Sequence, residues 1–422
     1  MGFYYQNIIS YLKESNIIFE DYVLDLIPTP IFKTDPNNMI KLREYQYIAI
    51  KRWLRAGKKG SIVLPTGSGK TIIALKIIQI INSSSLIIVP TIDLMNQWFT
   101  ILKKHFDIPI GRLGGGEDDI KGITITTYDS AYLKSHYLGN KFSLLIFDEL
   151  HHLAAPGFRS IGEQFVSPYR LGITATFVRE DNLHTELPRL VGGIVYQSSI
   201  NELTDEKYLA KFTIEKRFVK IHSDERKTYD ENIKIYNNFL QKTGLRYNGQ
   251  MTFNRLIMMS GKNQEARTAL LARNKAMSIA LNSKSKIEEL EIILKENNRL
   301  KILIFTQHNK LVYAISSRFL IPFITHKSSQ IEREQVLQSF KEGKYNVIVT
   351  SKVLDEGVDV PEAELGVIVS GTGSRREFIQ RLGRLLRPKS QTEKKAKLIE
   401  IVSADTNETN TSYRRKRALL SI

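Results

Sequence analysis

Residues Pro65 to Thr71 have the composition of a loop that binds the phosphates of a nucleotide. The loop reads Pro-Thr-Gly-Ser-Gly-Lys-Thr and follows an apolar run at 61–64. Glycines let backbone N–H groups approach phosphate oxygens, a lysine reaches the β- and γ-phosphates, and a threonine hydroxyl ligates Mg²⁺. Because an apolar helical pattern begins at Ile72, we favour an ATP site over the alternative, a surface turn beside a strand. The predicted nucleotide contacts are Pro65, Thr66, Gly67, Ser68, Gly69, Lys70 and Thr71, with Lys70 also catalytic and Thr71 also a Mg²⁺ ligand.

Two acidic residues, Asp148 and Glu149, follow a second apolar run at 144–147. Ligands of a doubly wound sheet bind beyond the carboxyl ends of its strands, so these acids are expected to face the phosphate loop. We predict that Asp148 holds Mg²⁺ through water and that Glu149 orients and deprotonates the attacking water. The alternative is an acidic pair that caps a helix. Two residues further on, His151 is predicted to transmit the nucleotide state by hydrogen bonding to a second domain.

The second half of the chain contains residues suited to completing such a site. Arg384 and Arg387 are spaced to share one helical face, where two guanidinium groups can stabilise charge on a γ-phosphate bound to another domain. The alternative is a solvated basic helix face. Upstream, Gly357 suits a close backbone phosphate and Asp359 suits ribose hydroxyls. The alternative there is a loop whose acids cap a helix.

The runs that precede these motifs predict two doubly wound parallel sheets. Near-continuous apolar and β-branched runs separated by helical patterns are typical of parallel strands covered on both faces. The first series lies at 61–64, 85–89, 123–126, 144–147 and 170–173, and the second at 301–305, 321–324, 347–350, 366–369 and 398–402. The stretch 223–281 lacks strand-like runs and is predicted to be a helical insertion. We predict an α/β protein with a short segment at 1–40, an ATP-binding domain at 41–200 and a second domain at 201–422.

The charge and composition of the chain point to a polyanionic partner. The net charge is +17, of which +7 lies at 232–281 and +8 lies from residue 374 onward. Such a balance attracts nucleic acid, although a solvated basic surface that aids solubility is the alternative. The chain has no cysteine, which excludes disulfides, zinc fingers, iron–sulfur clusters and cysteine catalysis. No apolar run has the eighteen or so residues of a bilayer span and no secretion signal is seen, so we expect a cytoplasmic protein without a membrane partner.

The ordered set of motifs resembles the superfamily-two helicases and, more narrowly, the archaeal XPB-type DNA repair helicases. Leu64 replaces the first glycine of the usual phosphate loop, as in nucleic-acid motors. The narrower resemblance rests on Arg179-Glu180-Asp181, on the Gly114 to Asp118 stretch and on the basic insertion. The shared motifs are Gln46, the 65–71 loop, 89–91, 148–151, 174–176, 305–306, 350–361 and 380–387. The resemblance implies two RecA-like domains, with 223–281 as a helical thumb.

Roles for individual residues follow from this resemblance. It implies that Arg43 and Gln46 recognise adenine, that Gln380 couples the two domains, and that residues 179–181 separate DNA strands. It also implies phosphate contacts, which position a strand without reading its sequence, from Thr91, Thr127, Thr306, Thr325 and Thr350. Because the insertion is basic, we further predict DNA contacts from Lys242, Arg246, Arg255 and Lys262.

Together these patterns predict an ATP-dependent DNA helicase that acts in DNA repair. The resemblance implies 3′-to-5′ polarity, with ATP and Mg²⁺ as cofactors and single-stranded, forked or duplex DNA as the partner. Two alternatives remain: a double-stranded DNA translocase, and a nucleotide-switched scaffold that binds DNA and a partner nuclease. For residues 179–181 the alternative is an ion-paired loop that stabilises the first domain.

Overall fold

The computed structural model describes residues 4–29, 40–179, 181–206, 208–209, 211–245, 249–351, 363–371 and 395–420. These residues form two compact units, one with the described residues up to Leu209 and one with those from 211 onward. Each unit contains a mostly or wholly parallel sheet whose strands alternate with helices, which confirms the predicted α/β fold. Among the described residues, no helix combines the length and the apolar character that crossing a bilayer requires.

The first unit contains nine described α-helices and eight strands. The helices are α1 Tyr5–Glu14, α2 Glu44–Arg55, α3 Lys70–Ile81, α4 Ile92–His105, α5 Tyr128–Leu133, α6 Ser135–Leu138, α7 Arg159–Gln164, α8 Leu187–Leu190 and α9 Ile200–Asp205. The strands are β1 Lys59–Val63, β2 Ser85–Val89, β3 Ile110–Gly114, β4 Glu117–Asp119, β5 Ile123–Thr127, β6 Leu144–Asp148, β7 Tyr169–Thr174 and β8 Ile194–Gln197. Two 3-10 helices occupy Leu150–Ala154 and Leu183–Glu186.

The strands of the first unit form one sheet in the order β4-β3-β5-β2-β6-β7-β1-β8. All neighbours run parallel except β3 and β4, which form an antiparallel hairpin. All five runs predicted in this half are strands. The sequence pattern missed β3, β4 and β8, and two of these lack a buried apolar run, since β4 is fully exposed and β8 is only half-buried.

The second unit contains seven described α-helices and six strands. The helices are α10 Ser223–Lys242, α11 Gly249–Ser260, α12 Gln264–Asn282, α13 Lys284–Glu296, α14 Asn309–Phe319, α15 Gln330–Lys341 and α16 Asn407–Leu420. The strands are β9 Lys211–Val219, β10 Ile302–Phe305, β11 Phe323–Ile324, β12 Val347–Thr350, β13 Leu365–Ile368 and β14 Lys395–Ser403. They form a parallel sheet in the order β11-β12-β10-β13-β14-β9, and the five predicted runs are again strands.

Helices α10, α11 and α12 form the predicted helical insertion, which we call the thumb. Its second long helix, α12, buries a stripe of small residues, at Ala266, Ala269, Ala272, Ala276 and Ala280. Small side chains allow α10 to approach closely, and aromatic side chains of α10, including Tyr236 and Phe239, pack beside this stripe. The thumb therefore has its own small core.

Candidate active site

Three neighbouring strands bring the predicted catalytic motifs to one edge of the first sheet. Strand β7 pairs with β1 on one side, Val63 opposite Thr174, and with β6 on the other, Asp148 opposite Ile173. The phosphate loop follows β1, Glu149 follows β6, and Thr174 ends β7. Because the strands are parallel, all three motifs lie at their carboxyl ends, where doubly wound sheets bind ligands.

The phosphate loop connects β1 to α3, and its shape depends on glycine. Gly67 and Gly69 have φ of +84° and +79°, which residues with a side chain rarely adopt. A Cβ on Gly69 would lie 2.7 Å from the side-chain nitrogen of Gln46. That nitrogen donates to the carbonyl oxygen of Ser68 at 3.0 Å, so the side chain of Gln46 holds the loop backbone in place through a hydrogen bond.

Side chains of the loop fit a bound phosphate chain. The ammonium of Lys70 donates to the carbonyl oxygens of Leu64 and Pro65 at 3.1 and 3.2 Å, which places it over the loop. The hydroxyl oxygen of Thr66 is buried and has no hydrogen-bond partner among the described residues. A polar atom buried in this way requires a partner, and a phosphate oxygen or a water at the loop would provide one.

Asp148 is held in place by donors from separate elements. The indole N–H of Trp98 donates to one carboxylate oxygen at 2.8 Å, and the backbone N–H of Glu149 donates to the other at 2.9 Å. The hydroxyl of Tyr128 donates to the carbonyl oxygen of Asp148 at 3.1 Å. Burial, followed by the charge of Glu149, raises the pKa of Asp148 to about 6, while Trp98 and the charge of Lys70 oppose this rise. A fixed carboxylate near Lys70 offers the oxygen ligand that Mg²⁺ prefers.

Glu149 adopts a backbone conformation that is unusual for a residue with a side chain. Its φ is +47° and its ψ is 54°, in the left-handed region, and the 3-10 helix begins immediately after it. One of its carboxylate oxygens lies 3.5 Å from the Nδ1 atom of His151 and 3.5 Å from the hydroxyl of Thr174. Such strain persists where surrounding contacts enforce it, often at active sites. Here it turns the carboxylate toward the ends of β6 and β7.

The predicted adenine-recognition segment lies beside the phosphate loop. The backbone N–H of Arg43 donates to the side-chain oxygen of Gln46 at 2.9 Å, which caps α2. The Arg43 guanidinium donates to the carbonyl oxygen of Tyr208 at 3.1 Å and lies 5.7 Å from its ring centre. The ring of Tyr45 contacts Tyr208 edge-on, and its hydroxyl donates to the carbonyl of Ser68. Arg43, Gln46 and the loop therefore form one connected group.

His151 and Arg179 connect the acidic motif to the 179–181 stretch. The ring of His151 is buried and its Nδ1 atom lies 3.2 Å from the hydroxyl of Thr174, within the first unit. The guanidinium of Arg179 donates to the carbonyl oxygen of His151 at 2.7 Å and to both carboxylate oxygens of Asp181 at 2.9 and 2.6 Å. Hydrogen bonding to Arg179 lowers the pKa of Asp181 to about 2. Arg179 thus bridges the acidic motif and the loop beyond β7.

The five threonines predicted to contact DNA differ in exposure. Thr91 and Thr127 cap α4 and α5, accepting from the backbone N–H groups of Leu94 and Ser130, each at 3.2 Å. Thr306, Thr325 and Thr350 are fully buried at strand ends of the second sheet. The hydroxyls of Thr306 and Thr350 donate to backbone carbonyls at 3.3 and 3.0 Å. Phosphate binding by these residues stays a prediction.

The basic residues of the thumb are surface residues where the structure describes them. Lys242 forms an ion pair with Glu265 at 2.8 Å, and both side chains are exposed. Arg255 and Lys262 are also exposed. The predicted residues outside the described part of the chain are Glu180, Arg246, Gly357, Asp359, Gln380, Arg384 and Arg387.

Three aromatic contacts to the site were missed from the sequence: Trp98, Tyr128 and Tyr208. A signal existed for Trp98, because Met95, Trp98 and Leu102 share the buried face of α4. A buried indole usually finds an acceptor for its N–H group, so a polar partner could have been expected. Its partner, Asp148, lies fifty residues away in sequence and could not have been predicted from the pattern of α4.

The fold and site define a nucleotide-dependent motor with two RecA-like units. Residues 39–179 match the family model described as "Type III restriction enzyme, res subunit", and residues 259–421 match "ERCC3/RAD25/XPB C-terminal helicase". The chain is 48% identical to a protein of Sulfurisphaera tokodaii named "DNA 3'-5' translocase XPB2", over 99% of this chain and 93% of that protein. It therefore belongs to the XPB family of superfamily-two helicases.

More distant relatives and a solved structure agree with this assignment. A protein of Haloarcula marismortui named "Putative DNA 3'-5' helicase Rad25" is 30% identical over 90% of this chain. The chain spans 55% of the length of that relative. The crystal structure of the Hef helicase domain from Pyrococcus furiosus matches with a TM-score of 0.59 and 20% identity, over 90% of this chain and 99% of that one. That structure supports the fold alone.

Proposed function

We propose that this chain is an ATP-driven DNA helicase that moves 3′-to-5′ and opens duplex DNA during repair. The observation that carries the proposal is the convergence of Lys70, Asp148 and Glu149 at neighbouring strand ends, in a chain of the XPB family. Relatives named as DNA 3'-5' helicases or translocases support the polarity. A relative from Enterocytozoon bieneusi named as a subunit of a general transcription and DNA repair factor supports the role in repair.

The first unit supplies the groups that bind ATP and activate water. Backbone N–H groups of residues 66–71 and the ammonium of Lys70 hold the phosphates, and Thr71 and Asp148 would hold Mg²⁺. Bound Mg²⁺ neutralises negative charge on the phosphoryl group that is transferred. Glu149 accepts a proton from the attacking water, and Trp98 keeps the Asp148 carboxylate in one orientation. Arg43 and Gln46 bind the adenine edge beside the loop.

The second unit is proposed to complete the site and to bind DNA. Arg384 and Arg387 stabilise charge on the γ-phosphate, Gly357 and Asp359 approach phosphate and ribose, and Gln380 with His151 reports the nucleotide state. This division rests on motor domains at 41–200 and 201–422, which stays a prediction. The basic thumb and the threonines at the strand ends are proposed to hold DNA phosphates.

A duplex translocase is the second candidate, and one observation favours it. The relative at 48% identity is named a translocase, not a helicase. A translocase would hydrolyse ATP and move along duplex DNA without separating its strands, and a partner nuclease would then act on the DNA it moves. A helicase would instead separate the two DNA strands, with residues 179–181 as the strand-separating element.

A strand-displacement assay on tailed duplexes tests the proposal. The helicase hypothesis predicts ATP-dependent release of the labelled strand from a duplex with a 3′ single-stranded tail, and little release from a duplex with a 5′ tail. A parallel assay, in which the motor displaces the third strand of a DNA triplex, reports movement on duplex DNA. Triplex displacement without duplex opening would identify a translocase. DNA binding without either activity would identify a nucleotide-switched scaffold.

A further inference from the structure

A fully buried ion pair, Lys286 with Glu408, lies where the thumb joins the second sheet. The chain leaves the thumb at Asn282, the end of α12, and α13 begins two residues later. Lys286 lies in the first turn of α13, and Glu408 lies in the first turn of α16. Both residues have no exposed surface.

The ammonium of Lys286 uses all three of its donors. It donates to Glu408 at 2.7 Å, to the carbonyl oxygen of Val369 at 2.7 Å and to that of Ile401 at 3.1 Å. Val369 follows β13 and Ile401 lies in β14, so one side chain joins two strands and a helix. A buried charge costs free energy unless it is paired and fully hydrogen-bonded, and this one is.

Glu408 extends the same network to the thumb. Its second oxygen accepts from the backbone N–H of Ser403 at 2.9 Å. The hydroxyl of Ser403 in turn donates to the carbonyl oxygen of Ala280, in the last turn of α12, at 2.7 Å. The carbonyl of Ala280 is thus connected to the buried charge through Ser403.

Further contacts surround this joint on the thumb side. The backbone N–H of Asn407 donates to the hydroxyl of Tyr229 in α10 at 3.0 Å, and Arg226 of the same helix donates to the carbonyl of Asp405 at 3.0 Å. Asn282 lies 3.2 Å from the Nδ1 atom of His308, which follows β10. Both long thumb helices therefore attach to loops at the carboxyl ends of the second sheet.

We propose that Lys286 and Glu408 are positioning residues that fix the angle of the thumb against the second sheet. The thumb and strand β13, which precedes Arg384 and Arg387 in the sequence, then move as one body. The role of this joint rests on the proposed function. If the chain hydrolyses ATP to move DNA, a rigid joint would transmit a conformational change at the ATP site to the DNA-binding thumb. A buried ion pair adds little net stability over apolar side chains of similar volume, so the proposed role of this pair is to specify geometry.

The lever length makes the joint sensitive to small changes. Helix α12 has 19 residues, so its far end lies about 28 Å from the joint, and a 10° tilt there moves the far end by about 5 Å. Because the chain has no cysteine, two introduced cysteines can be labelled selectively. Gln264, at the start of α12, and Gln335, on α15, are exposed positions for a pair of spin labels.

The test compares the label-to-label distance distribution in the full chain with and without the ion pair. Lys286→Met combined with Glu408→Gln removes both charges and keeps similar volumes. Lys295→Met combined with Glu291→Gln is the matched control, because it removes a Lys–Glu pair of 2.8 Å from the surface of the same helix, together with the contact of Glu291 with Arg318 of α14. We expect a shift or broadening of at least 5 Å in the first variant and the unaltered distribution in the control. An unaltered distribution in the first variant would overturn the proposal.

Activity and a milder variant complete the experiment. The first variant should keep DNA-independent ATP hydrolysis within about twofold and displace several-fold fewer base pairs per ATP. If the first variant fails to fold, the Ser403→Ala variant tests the proposal instead. This substitution removes the hydroxyl that donates to Ala280 and should still broaden the distance distribution. An unaltered distribution in Ser403→Ala would then refute the joint. The distance measurement needs neither ATP nor DNA, so an inactive wild-type protein would refute the proposed function and leave the joint testable.

Discussion

Trp98 donates its indole N–H to the carboxylate of Asp148 at 2.8 Å, inside the core of the first sheet. The bond fixes the orientation of the acid proposed to hold Mg²⁺, from a helix that contains none of the predicted catalytic residues. Outer partners of this kind keep a metal ligand in one orientation. Trp98 therefore belongs to the proposed catalytic arrangement, although the sequence did not predict it.

Trp98→Phe should slow ATP hydrolysis while leaving ATP binding largely intact. Phenylalanine keeps the aromatic packing and removes the donor, and a hydrogen bond to a charged group contributes about 1.5–3 kcal/mol, or roughly 10- to 100-fold in rate. The measurement is the steady-state rate across a range of Mg²⁺ concentrations. Trp53→Phe is the matched control, because the buried indole of Trp53 also donates a hydrogen bond. Its acceptor is the carbonyl of Arg170 in β7, at 3.0 Å. Equal losses in both variants would assign Trp98 to stability alone.

The paired arginines should act on turnover and not on ATP affinity. Arg384→Ala or Arg387→Ala removes charge that stabilises the transferring phosphoryl group, so the rate should fall roughly a thousandfold or more. The dissociation constant for a fluorescent ATP analogue should change by less than about threefold. Arg376→Ala, a basic residue before this motif, serves as the control. Wild-type turnover in both variants would leave Arg384 and Arg387 as a solvated face.

The thumb should contribute to the salt dependence of DNA binding. Replacing Lys242, Arg246, Arg255 and Lys262 with Gln should weaken binding, and the slope of log K against log salt should fall by about 1 for each phosphate that the variant no longer binds. Lys242 should contribute least, because Glu265 already pairs with it. Lys295→Gln with Lys344→Gln, two exposed lysines outside the thumb, should leave the slope intact. If the thumb variant also kept the wild-type salt slope, the basic surface of the thumb would bind a protein partner and not DNA.

Replacing Arg179, Glu180 and Asp181 with Ala should separate stepping from strand opening. Opening a duplex costs on the order of 1.4 kcal/mol per base-pair step, so a motor without a wedge can move and still fail to unwind. DNA-stimulated hydrolysis should persist while strand displacement falls sharply. Arg189→Ala is the control, since it breaks an exposed ion pair with Glu163 in the same unit. Parallel losses of hydrolysis and thermal stability in the triple variant would indicate a structural loop, as the bond from Arg179 to His151 allows.

The sequence predicts those elements whose pattern is local. The ten strands it indicates are short, apolar and rich in β-branched residues, and all ten are present. Strand β9 was missed because charged residues interrupt it, and its nine pairs with β14 come from a segment far along the chain. The phosphate loop and the acidic pair carry fixed spacings, whereas the contacts of Trp98 with Asp148 and of Lys286 with Glu408 join residues 50 and 122 positions apart. Contacts of that range depend on the assembled sheets.

The most direct test of the central claim is the rate of ATP hydrolysis with and without forked DNA, in the wild-type protein and in Glu149→Gln. The wild-type rate should rise on adding DNA, and Lys70→Ala should abolish it. Glu149→Gln keeps the size of the side chain and loses the base, so it should bind ATP normally and hydrolyse it on the order of a thousandfold more slowly. A Glu149→Gln protein that hydrolyses ATP at nearly the wild-type rate, or a wild-type rate indifferent to DNA, would contradict the account.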